Sequence, residues 1–586
     1  MSVPVDKPLR LKSEKVGTRH RVTASTRFVN VVVDTGVAHL TNPYTYAVPD
    51  NMVLEIGHLV EVPFNNLQRK GFVLGPAEEI TKAKFVSKQV STQRFFTESQ
   101  LHLFERVVKR YGSSLWDTMR LAIPPSTKSN TQFIEDPIYH ATNLGHHAWT
   151  LELGVDRFEF LRTLIAQLNE RKVVLVLPNE RDVAQFAGEF QVLSSKQSKS
   201  ERFISYLESN FNAKVVVGMR TSSFLDIPPG GHLIVLDDGD PAHHELHQPT
   251  FNSRDVALLR AQELNLHFVS TFHSAEVARL IQSGWLKENR VRSKKKFVIQ
   301  SDPSNEKVQQ RIRDSVKVGR VLIPTTSKSY RLGIACKACR SRANCECGGN
   351  IIESKKGLYE CNLCRRDVVN WQCESCGSGE VVTWSRGGGL QAEELARSIT
   401  STHILHITSE NIELDIPHKG VVLATSGLEP HVSFKMIAVT NAEKLLSFPM
   451  LRADELAMLR WRNAFSLLED GGTISVSLPS DSLFVRSLVK NDWWILMNQI
   501  LSLRQEVSMP PYVRIACVNG DKPDLDLIAK TLGENEVVYK ESERILVKIE
   551  IDRADQVVDS LRSAAHLLSL KRSHHVRLDI DPFIFN

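Results

Sequence analysis

Eight of the nine cysteines lie between Cys336 and Cys376, and this cluster constrains the fold more than any other feature of the sequence. The spacing is Cys336-x2-Cys339-x5-Cys345-x-Cys347, then 13 residues, then Cys361-x2-Cys364-x8-Cys373-x2-Cys376. Secreted disulfide frameworks spread their cysteines through a small domain. A tight cluster in a chain of 586 residues therefore points to metal in a reducing compartment.

The C-x2-C pairs predict zinc knuckles, in which a tight turn aims two thiolates at one tetrahedral ion with Zn–S near ~2.3 Å. Eight thiolates make two closed, structural sites. Gly348 and Gly377 directly follow pairs, where the turn needs an unusual backbone angle. The single residue between Cys345 and Cys347 predicts a strained or weaker second site. Redox or disulfide chemistry and buried inert cysteines are the alternatives.

The remaining sequence predicts a multidomain α/β chain. Short apolar runs separated by Asn, Pro and Gly predict a small β domain over 25–93, and helical spacing after it suits a winged helix over 94–135. Apolar strands then alternate with helices twice, which predicts two parallel α/β lobes, over 140–300 and over 301–333 with 381–487. The cysteine block, 334–380, is an insertion in the second lobe, and 488–586 is an α+β C-terminal domain.

The charge pattern is compatible with a polyanionic partner but does not require one. The net charge is +6, and residues 1–24 form a basic segment that we interpret as a flexible, solvated tail, with a supplementary phosphate-binding arm as the alternative. The tail has no apolar run of the kind that a signal peptide needs, and no stretch approaches a membrane span. We therefore expect a cytoplasmic protein with no membrane partner.

Nucleotide-binding motifs are missing from both lobes. A Walker A loop needs Gly-Lys before its helix, and this dipeptide occurs nowhere in the sequence. The corresponding turn runs from Trp149 to Arg157 through Gly154, and Arg157 is interpreted there as a surface charge. Asp237 and Asp238 end an apolar strand like a Walker B pair, but an acidic turn that caps the following segment is the favoured interpretation. The glycine run 387–389 is interpreted as a flexible return from the insertion.

The order of these features resembles the PriA family of primosomal replication-restart helicases over nearly the whole chain after the tail. PYTYAVP, HLVEVPF and KGFVLG resemble the family's 3′-DNA-end-binding domain, and SSLWDTMRLAIPP resembles the end of its winged helix. VVVGMRTSSF, VSMPPYVRIA and LDIDP resemble further signatures. The resemblance implies two RecA-like lobes and two zinc ions. It assigns one ion to Cys336, Cys339, Cys373 and Cys376, and the other to Cys345, Cys347, Cys361 and Cys364.

The sequence departs from the family pattern mainly at the motifs with which a helicase binds and hydrolyses ATP. The D-E-E-H box is replaced by Asp237-Asp238-Gly239-Asp240, S-A-T-P corresponds to Ser270-Thr271-Phe272-His273, and the arginine-finger motif is not found in LRWRNAFSLLEDGG. The family's F-D-Y in the 3′-end pocket corresponds to Tyr44-Thr45-Tyr46, which loses the acid but keeps aromatic rings for stacking. We therefore predict a branch of the family with no catalytic residues and no use of ATP.

The predicted function is a DNA-binding scaffold for replication restart at forked or branched DNA. Candidate DNA contacts are Tyr44, Arg69, Lys70 and Arg120, with Lys109 and Arg110 as further basic residues. The resemblance implies primosome components, single-strand-binding protein and the replicative helicase as partners. An active 3′–5′ ATP-dependent helicase with divergent motifs and a zinc-stabilised protein-interaction module without DNA binding are the alternatives.

Overall fold

The computed structural model describes residues 26–36, 40–80, 82–125, 144–325, 332–341, 343, 345, 351–355, 357–361, 366–384, 403–408, 415–446, 450–532, 537–540, 543–571 and 576–583. The predicted basic tail and the glycine run 387–389 lie outside these residues. The chain divides into two compact units, Met1–Leu101 and His102–Asn586.

A six-stranded sheet forms the first unit, as the alternating apolar pattern predicts. Its order is β5-β2-β1-β4-β3-β6, and every pair is antiparallel except β2 with β5. Inward valines of β1, β3 and β4 supply the buried core, among them Val31, Val60 and Val73. The strands are β1 Arg27–Val33, β2 Tyr44–Val48, β3 His58–Phe64, β4 Leu67–Pro76, β5 Lys84–Phe85 and β6 Lys88–Arg94.

Two helices follow the sheet, α1 Glu98–Tyr111 and α2 Leu115–Ala122. Ser114 caps the second helix by accepting a hydrogen bond from the amide of Asp117, which satisfies an amide that the first helical turn leaves free. The helices lie where the winged-helix prediction expects them. The end of that predicted domain falls in 126–143, outside the described residues.

Seven parallel strands form the first lobe in the order β13-β7-β12-β11-β8-β10-β9. Its near-continuous apolar strands are buried because helices cover both faces of such a sheet. The strands are β7 His146–Leu151, β8 Val173–Val176, β9 Gln191–Leu193, β10 Val215–Gly218, β11 His232–Leu236, β12 Asn265–Ser270 and β13 Lys287–Val291. The helices are α3 Arg157–Leu168, α4 Glu180–Ala184, α5 Lys199–Phe211, α6 Ser253–Leu259 and α7 Ala275–Gln282.

The second lobe is a parallel six-stranded sheet in the order β14-β24-β23-β15-β22-β21. Its first part is β14 Val298–Ser301, α8 Asn305–Ser315 and β15 Arg320–Thr325. After the insertion come β21 Ile404–Ile407, β22 Gly420–Thr425, β23 Phe434–Val439, α9 Ala442–Leu446, α10 Ala453–Phe465, β24 Leu468–Val476, α11 Leu483–Val489 and α12 Trp494–Glu506. One buried cluster joins both lobes, since Phe272 and Ala275 of the first lobe pack with Met458 and Trp493.

The cysteine insertion is a five-stranded antiparallel sheet in the order β19-β18-β17-β16-β20. Its strands are β16 Leu332–Cys336, β17 Ile351–Lys355, β18 Leu358–Cys361, β19 Asp367–Val368 and β20 Val381–Trp384. Its apolar cluster contains only three fully buried side chains among the described residues, those of Ile334, Ala343 and Ile351. The apolar core of the insertion is therefore small among the described residues.

The chain ends in an antiparallel sheet of order β26-β27-β25-β28 with two helices. Its elements are β25 Val513–Asn519, α13 Lys522–Thr531, β26 Val537–Lys540, β27 Arg544–Glu550, α14 Ala554–Lys571 and β28 Arg577–Ile580. The multidomain α/β architecture predicted from the sequence is therefore confirmed. In the part of the chain that the structure describes, no helix is both long and apolar enough to span a membrane.

Candidate functional site

Four thiols of the insertion converge on one point. The sulfur atoms of Cys336, Cys339, Cys373 and Cys376 all lie within 4.8 Å of one another. Cys336 Sγ is 3.4 Å from Cys376 Sγ, and Cys339 Sγ is 3.5 Å from Cys373 Sγ. This is the outer set that the resemblance assigns to one ion, and four convergent sulfurs are the donor set of structural zinc. The cluster could therefore bind one metal ion.

Both pairs of this centre are built as the same knuckle. The amides of Cys336 and Cys373 donate to the carbonyls of Ser341 and Ser378, each five residues further on. The residue after the second cysteine has a positive φ in each case, +63° at Arg340 and +73° at Gly377. Gly377 thus has the unusual backbone that the sequence predicts, whereas at Arg340 a side chain occupies a conformation that favours glycine.

The second predicted centre is described only in part, because Cys347, Cys364 and Gly348 lie outside the described residues. Cys361 is buried, and its amide donates to Arg366 five residues further on, which is the hydrogen bond that the other two knuckles make. Cys345 is half-buried beside the small apolar cluster of the insertion. A second zinc on these residues stays a prediction.

A cleft of about 370 Å³ lies between the two lobes, at the end of the first sheet where a nucleotide would be held. Asp237, at the end of β11, is fully buried and accepts a 2.5 Å hydrogen bond from Arg157 Nη1. The same carboxylate accepts from Asn463 Nδ2 of the second lobe at 2.7 Å. Burial raises the pKa of Asp237 to about 6, against the opposing effect of Arg157. The expectation that Arg157 is a surface charge is therefore wrong, because its side chain is only 12% exposed.

The turn before α3 offers little to a phosphate. In a phosphate loop, backbone amides and a helix N-terminus hold the anion. Here Asp156 caps α3 and its Oδ1 accepts from the amides of Phe158 and Glu159, at 2.9 and 3.1 Å. The amides of Glu152, Leu153 and Val155 donate to protein oxygens as well. A carboxylate of the chain thus occupies the place where an anion would bind.

The cleft as a whole carries more acidic than basic side chains. Six acids line it against four basic residues, the acids being Asp156, Glu159, Asp182, Asp237, Asp240 and Glu429 and the bases Arg157, Arg162, Lys295 and Arg460. Burial also raises the pKa of Asp182 and of Glu429. An anionic triphosphate would meet net repulsion and would have to displace Arg157 from its buried partner.

The other acids of the Walker B-like turn have structural partners. Asp238 accepts from His273 Nδ1 at 2.8 Å and from the amide of Ser274, the cap of α7. Burial opposes ionisation of Asp238, but these hydrogen bonds outweigh it and lower its pKa. Asp240 caps the short 3-10 helix Pro241–His243. These contacts agree with the favoured interpretation of an acidic turn that caps its neighbours.

The candidate DNA contacts are distributed over both units. Tyr44 is half-exposed and packs edge-on against Phe64, with ring centroids 5.0 Å apart. Lys70 is exposed and Arg69 half-buried on β4. Arg120 is exposed on α2 and pairs with Asp117 at 3.4 Å. Lys109 and Arg110 differ from these, since Lys109 pairs with Asp555 and Arg110 with Asp255 and Asp581.

Thr45 and Tyr46, where the family has its acid and second aromatic residue, make internal contacts. Thr45 Oγ1 donates to Asn30 Oδ1 at 3.0 Å. Tyr46 is buried and its hydroxyl donates to the carbonyl of Pro63 at 3.4 Å. Burial raises the pKa of Tyr46 to about 12. Of the two tyrosines at these positions, Tyr44 is therefore the one that is not fully buried.

Two tandem parallel lobes with a cysteine insertion define a helicase-like core, and comparison with known proteins shows what the chain is similar to. The family model of the PriA 3'DNA-binding domain (3'BD) matches residues 30–124. The probable replication restart protein PriA of Mycobacterium leprae (strain TN) is 25% identical over 647 residues, which cover 93% of this chain and 99% of the relative. The replication restart protein PriA of Rickettsia felis is 23% identical, over 93% and 98%. The chain is thus similar to PriA proteins over nearly its whole length.

Among solved structures, S. cerevisiae Dbp5 bound to RNA and ADP BeF3 is similar to 62% of this chain and 90% of its own, with 9% identity and a TM-score of 0.34. So weak a likeness adds nothing to the fold, which rests on the sheets described above.

Proposed function

We propose that this chain is a replication-restart protein that binds forked or branched DNA and helps to reload the replicative helicase without hydrolysing ATP or unwinding DNA itself. The family match to a 3′ DNA-binding domain and the full-length similarity to replication restart proteins support the DNA-binding half of this proposal. The single observation that carries the other half is the buried Arg157–Asp237 pair, in which the acid that would hold a motor's metal ion is bonded to the chain's own arginine.

The lobes act in this proposal as a scaffold. Phosphoryl transfer depends on placed charges, namely a phosphate cradle with its lysine, a metal-holding carboxylate, a water-orienting group and an arginine finger. In the described cleft Asp156 takes the helix terminus, and Asp237 is bonded to Arg157 and Asn463. An arginine finger alone contributes a factor of ~10³–10⁵ to the rate, so loss of the whole set leaves no useful turnover.

The metal part of the proposal is two structural zinc ions. Cys336, Cys339, Cys373 and Cys376 hold the first ion, and the inner cysteines hold the second. Primosome components and single-strand-binding protein are the proposed partners, as the relatives' function suggests.

The testing experiment measures phosphate release and DNA binding on the same preparation, with forked DNA, unbranched duplex and no DNA. We expect no release above background, with forked DNA bound more tightly than duplex. DNA-stimulated hydrolysis that disappears in Asp237→Ala would establish the active helicase instead. Absence of binding to every DNA would favour the zinc-stabilised interaction module.

A further inference from the structure

The segment that joins the two lobes carries a row of basic side chains at every second position. Arg290, Arg292, Lys294 and Lys296 are all exposed, while the residues between them are half-buried. The row starts in β13 and ends just before β14, and no residue in it has a positive φ. Alternate burial of this kind describes an extended chain with one face outward, on which successive basic residues lie about 7 Å apart.

Both lobes hold this segment in place. On its inner side Val291 packs against the core of the first lobe, and Phe297 against the cluster that joins the lobes. Lys295 Nζ donates to the carbonyl of Leu468 at 2.9 Å, and the amide of Ser293 donates to Glu152 at 3.1 Å. The outward row is therefore fixed before any ligand arrives, which lowers the entropic cost of binding.

The surroundings leave the row open. β13 and β14 are the outermost strands of their sheets, so among the described residues no further strand covers that edge. Arg290 pairs with Glu288 and Asp492, at 3.4 and 3.3 Å. Within the described part of the chain, the other three make no ion pair. Two acids lie next to them, and these accept from backbone amides of the segment: Asp470 from Lys296 and Glu152 from Ser293.

We propose that Arg292, Lys294 and Lys296 bind the phosphodiester backbone of a nucleic acid strand that runs past both lobes. A row one side chain wide, with even spacing, fits a single backbone that carries one charge per nucleotide. The row differs from the Tyr44 region, which lies in the other unit. This inference rests on the proposed DNA-binding function and adds a contact that the lobes make themselves, with a single strand as the expected ligand.

The test compares two triple variants of the full chain, each of which replaces one arginine and two lysines with glutamine. Arg292→Gln, Lys294→Gln and Lys296→Gln remove the row. Lys196→Gln, Lys199→Gln and Arg202→Gln remove the same charges from another exposed part of the first lobe. Binding of a single-stranded oligonucleotide and of a duplex of equal length is measured at several salt concentrations, with unfolding temperature as the check on folding.

We expect the row variant to bind the single strand more weakly by on the order of 10- to 100-fold at 0.1 M salt, and its salt slope to fall by about 0.7 for each phosphate that is no longer neutralised. The control variant should match the wild type. Acetylation of lysines with and without the oligonucleotide adds a direct readout, in which bound DNA protects Lys294 and Lys296 but not Lys196 and Lys199.

Three results overturn the inference, and they differ from one another. If the row variant binds both DNAs as the control does, the row does not touch DNA while DNA binding by the chain stands. If the weakening is confined to duplex, the single-strand assignment is wrong. If the wild type binds no DNA at all, the proposed function fails first and this inference with it.

Discussion

Arg157 in the first turn of α3 donates to Asp237 at the end of β11, and the second lobe adds Asn463 to the same carboxylate. The pair joins the turn where a phosphate loop would lie to the acid that would hold a metal. The acid is thereby paired with the protein's own cation.

Removing the cation alone should destabilise the lobes. Arg157→Ala leaves Asp237 buried without its charge partner, which costs roughly 3–5 kcal/mol when a buried pair is broken. The double variant Arg157→Ala with Asp237→Asn should recover much of that stability because no buried charge remains. The urea midpoint of the unfolding transition of the lobes measures the stability of the single and of the double variant.

Arg162→Ala, which breaks an exposed pair with Glu189, is the control and should cost about 0–1 kcal/mol. Equal effects for Arg157 and Arg162 would contradict the buried-pair argument.

A group of histidines at the start of adjacent strands of the first lobe makes its stability depend on pH. His267 Nδ1 accepts from Trp149 Nε1 at 3.2 Å, and its Nε2 lies 3.1 Å from His232 Nδ1. Because Trp149 only donates, the neutral ring of His267 carries its proton on Nε2 and donates to His232. Burial, with Arg171 nearby, lowers the pKa of His232 to about 4, and burial holds the pKa of His267 well below its usual value.

These rings stay neutral in the folded chain while they gain protons in the unfolded chain below its ordinary pKa of 6.5. Their contribution is fully present above pH 6.5 and is lost as the pH falls from 6.5 towards 4. His232→Asn should reduce the loss in free energy of unfolding between pH 6.5 and pH 4 by about 1–3 kcal/mol. This figure is already reduced for the partial exposure of His232. Urea unfolding at a series of pH values measures it, and exposed His102→Asn is the control. If the stability of His232→Asn falls with pH as steeply as that of the wild type, the histidine group is not the source of the pH dependence.

The sequence predicted the architecture well because each lobe repeats a strong local pattern. Apolar strands such as β8 and β11, followed by helices, allow few arrangements other than a covered parallel sheet. The four outer cysteines could likewise be placed together, since the C-x2-C spacing and the family resemblance both restrict their partners. Local pattern and tertiary structure agree in these parts.

The environment of Arg157 could not be predicted because it depends on the facing lobe. A single arginine after a turn is usually solvated, and nothing nearby in the sequence shows that Arg157 donates to Asp237 or that Asn463 binds the same carboxylate. Arg340 is similar, since no sequence rule places arginine at φ +63°. The one signal in the sequence is that Arg340 holds the position in its pair that Gly377 holds in another.

Elemental analysis of the purified chain should give two zinc ions. Cys373→Ser removes a buried ligand of the outer centre, and Cys361→Ser removes a buried ligand of the inner one, so each should lower the zinc content by one. Structural zinc contributes roughly 10–16 kcal/mol of apparent binding free energy, so chelation should unfold the insertion and leave the lobes folded. Cys517→Ser, outside the cluster, is the control. A wild-type content of one ion that Cys361→Ser leaves unchanged would show that the inner centre does not form.

Arg69 and Lys70 should contribute to DNA binding by the first unit without sequence preference. Replacing both with Ala should lower the salt slope for duplex DNA by about 0.9 for each phosphate that the variant no longer neutralises. Lys84→Ala with Lys88→Ala removes two exposed charges from the same sheet and is the matched control. Titrations of both double variants with forked and duplex DNA at several salt concentrations give the two salt slopes. Equal slopes in both variants would exclude these side chains as phosphate ligands.

The two lobes should behave as one body whether or not nucleotide is present. Asn463 donates to Asp237 and accepts from Thr271 Oγ1 at 2.6 Å, so one side chain of the second lobe holds two groups of the first. Arg452, which precedes α10, also pairs with Glu276 of α7 in the first lobe, and both side chains are largely buried.

A hydrogen bond to a charged group contributes about 1.5–3 kcal/mol, so Asn463→Ala should raise amide exchange at the β12–α7 turn by on the order of 10- to 100-fold. Asn498→Ala removes an exposed hydrogen bond with Gln282 across the same lobes and should change amide exchange little.

Hydrogen exchange of the wild type and of both variants, each with and without ATP, measures how firmly the two lobes are held together. Since Asp156 caps the terminus of α3 and Arg157 is paired with Asp237, ATP should leave every profile unchanged. Protection of the cleft by ATP in the wild type would instead show that the lobes still close on nucleotide.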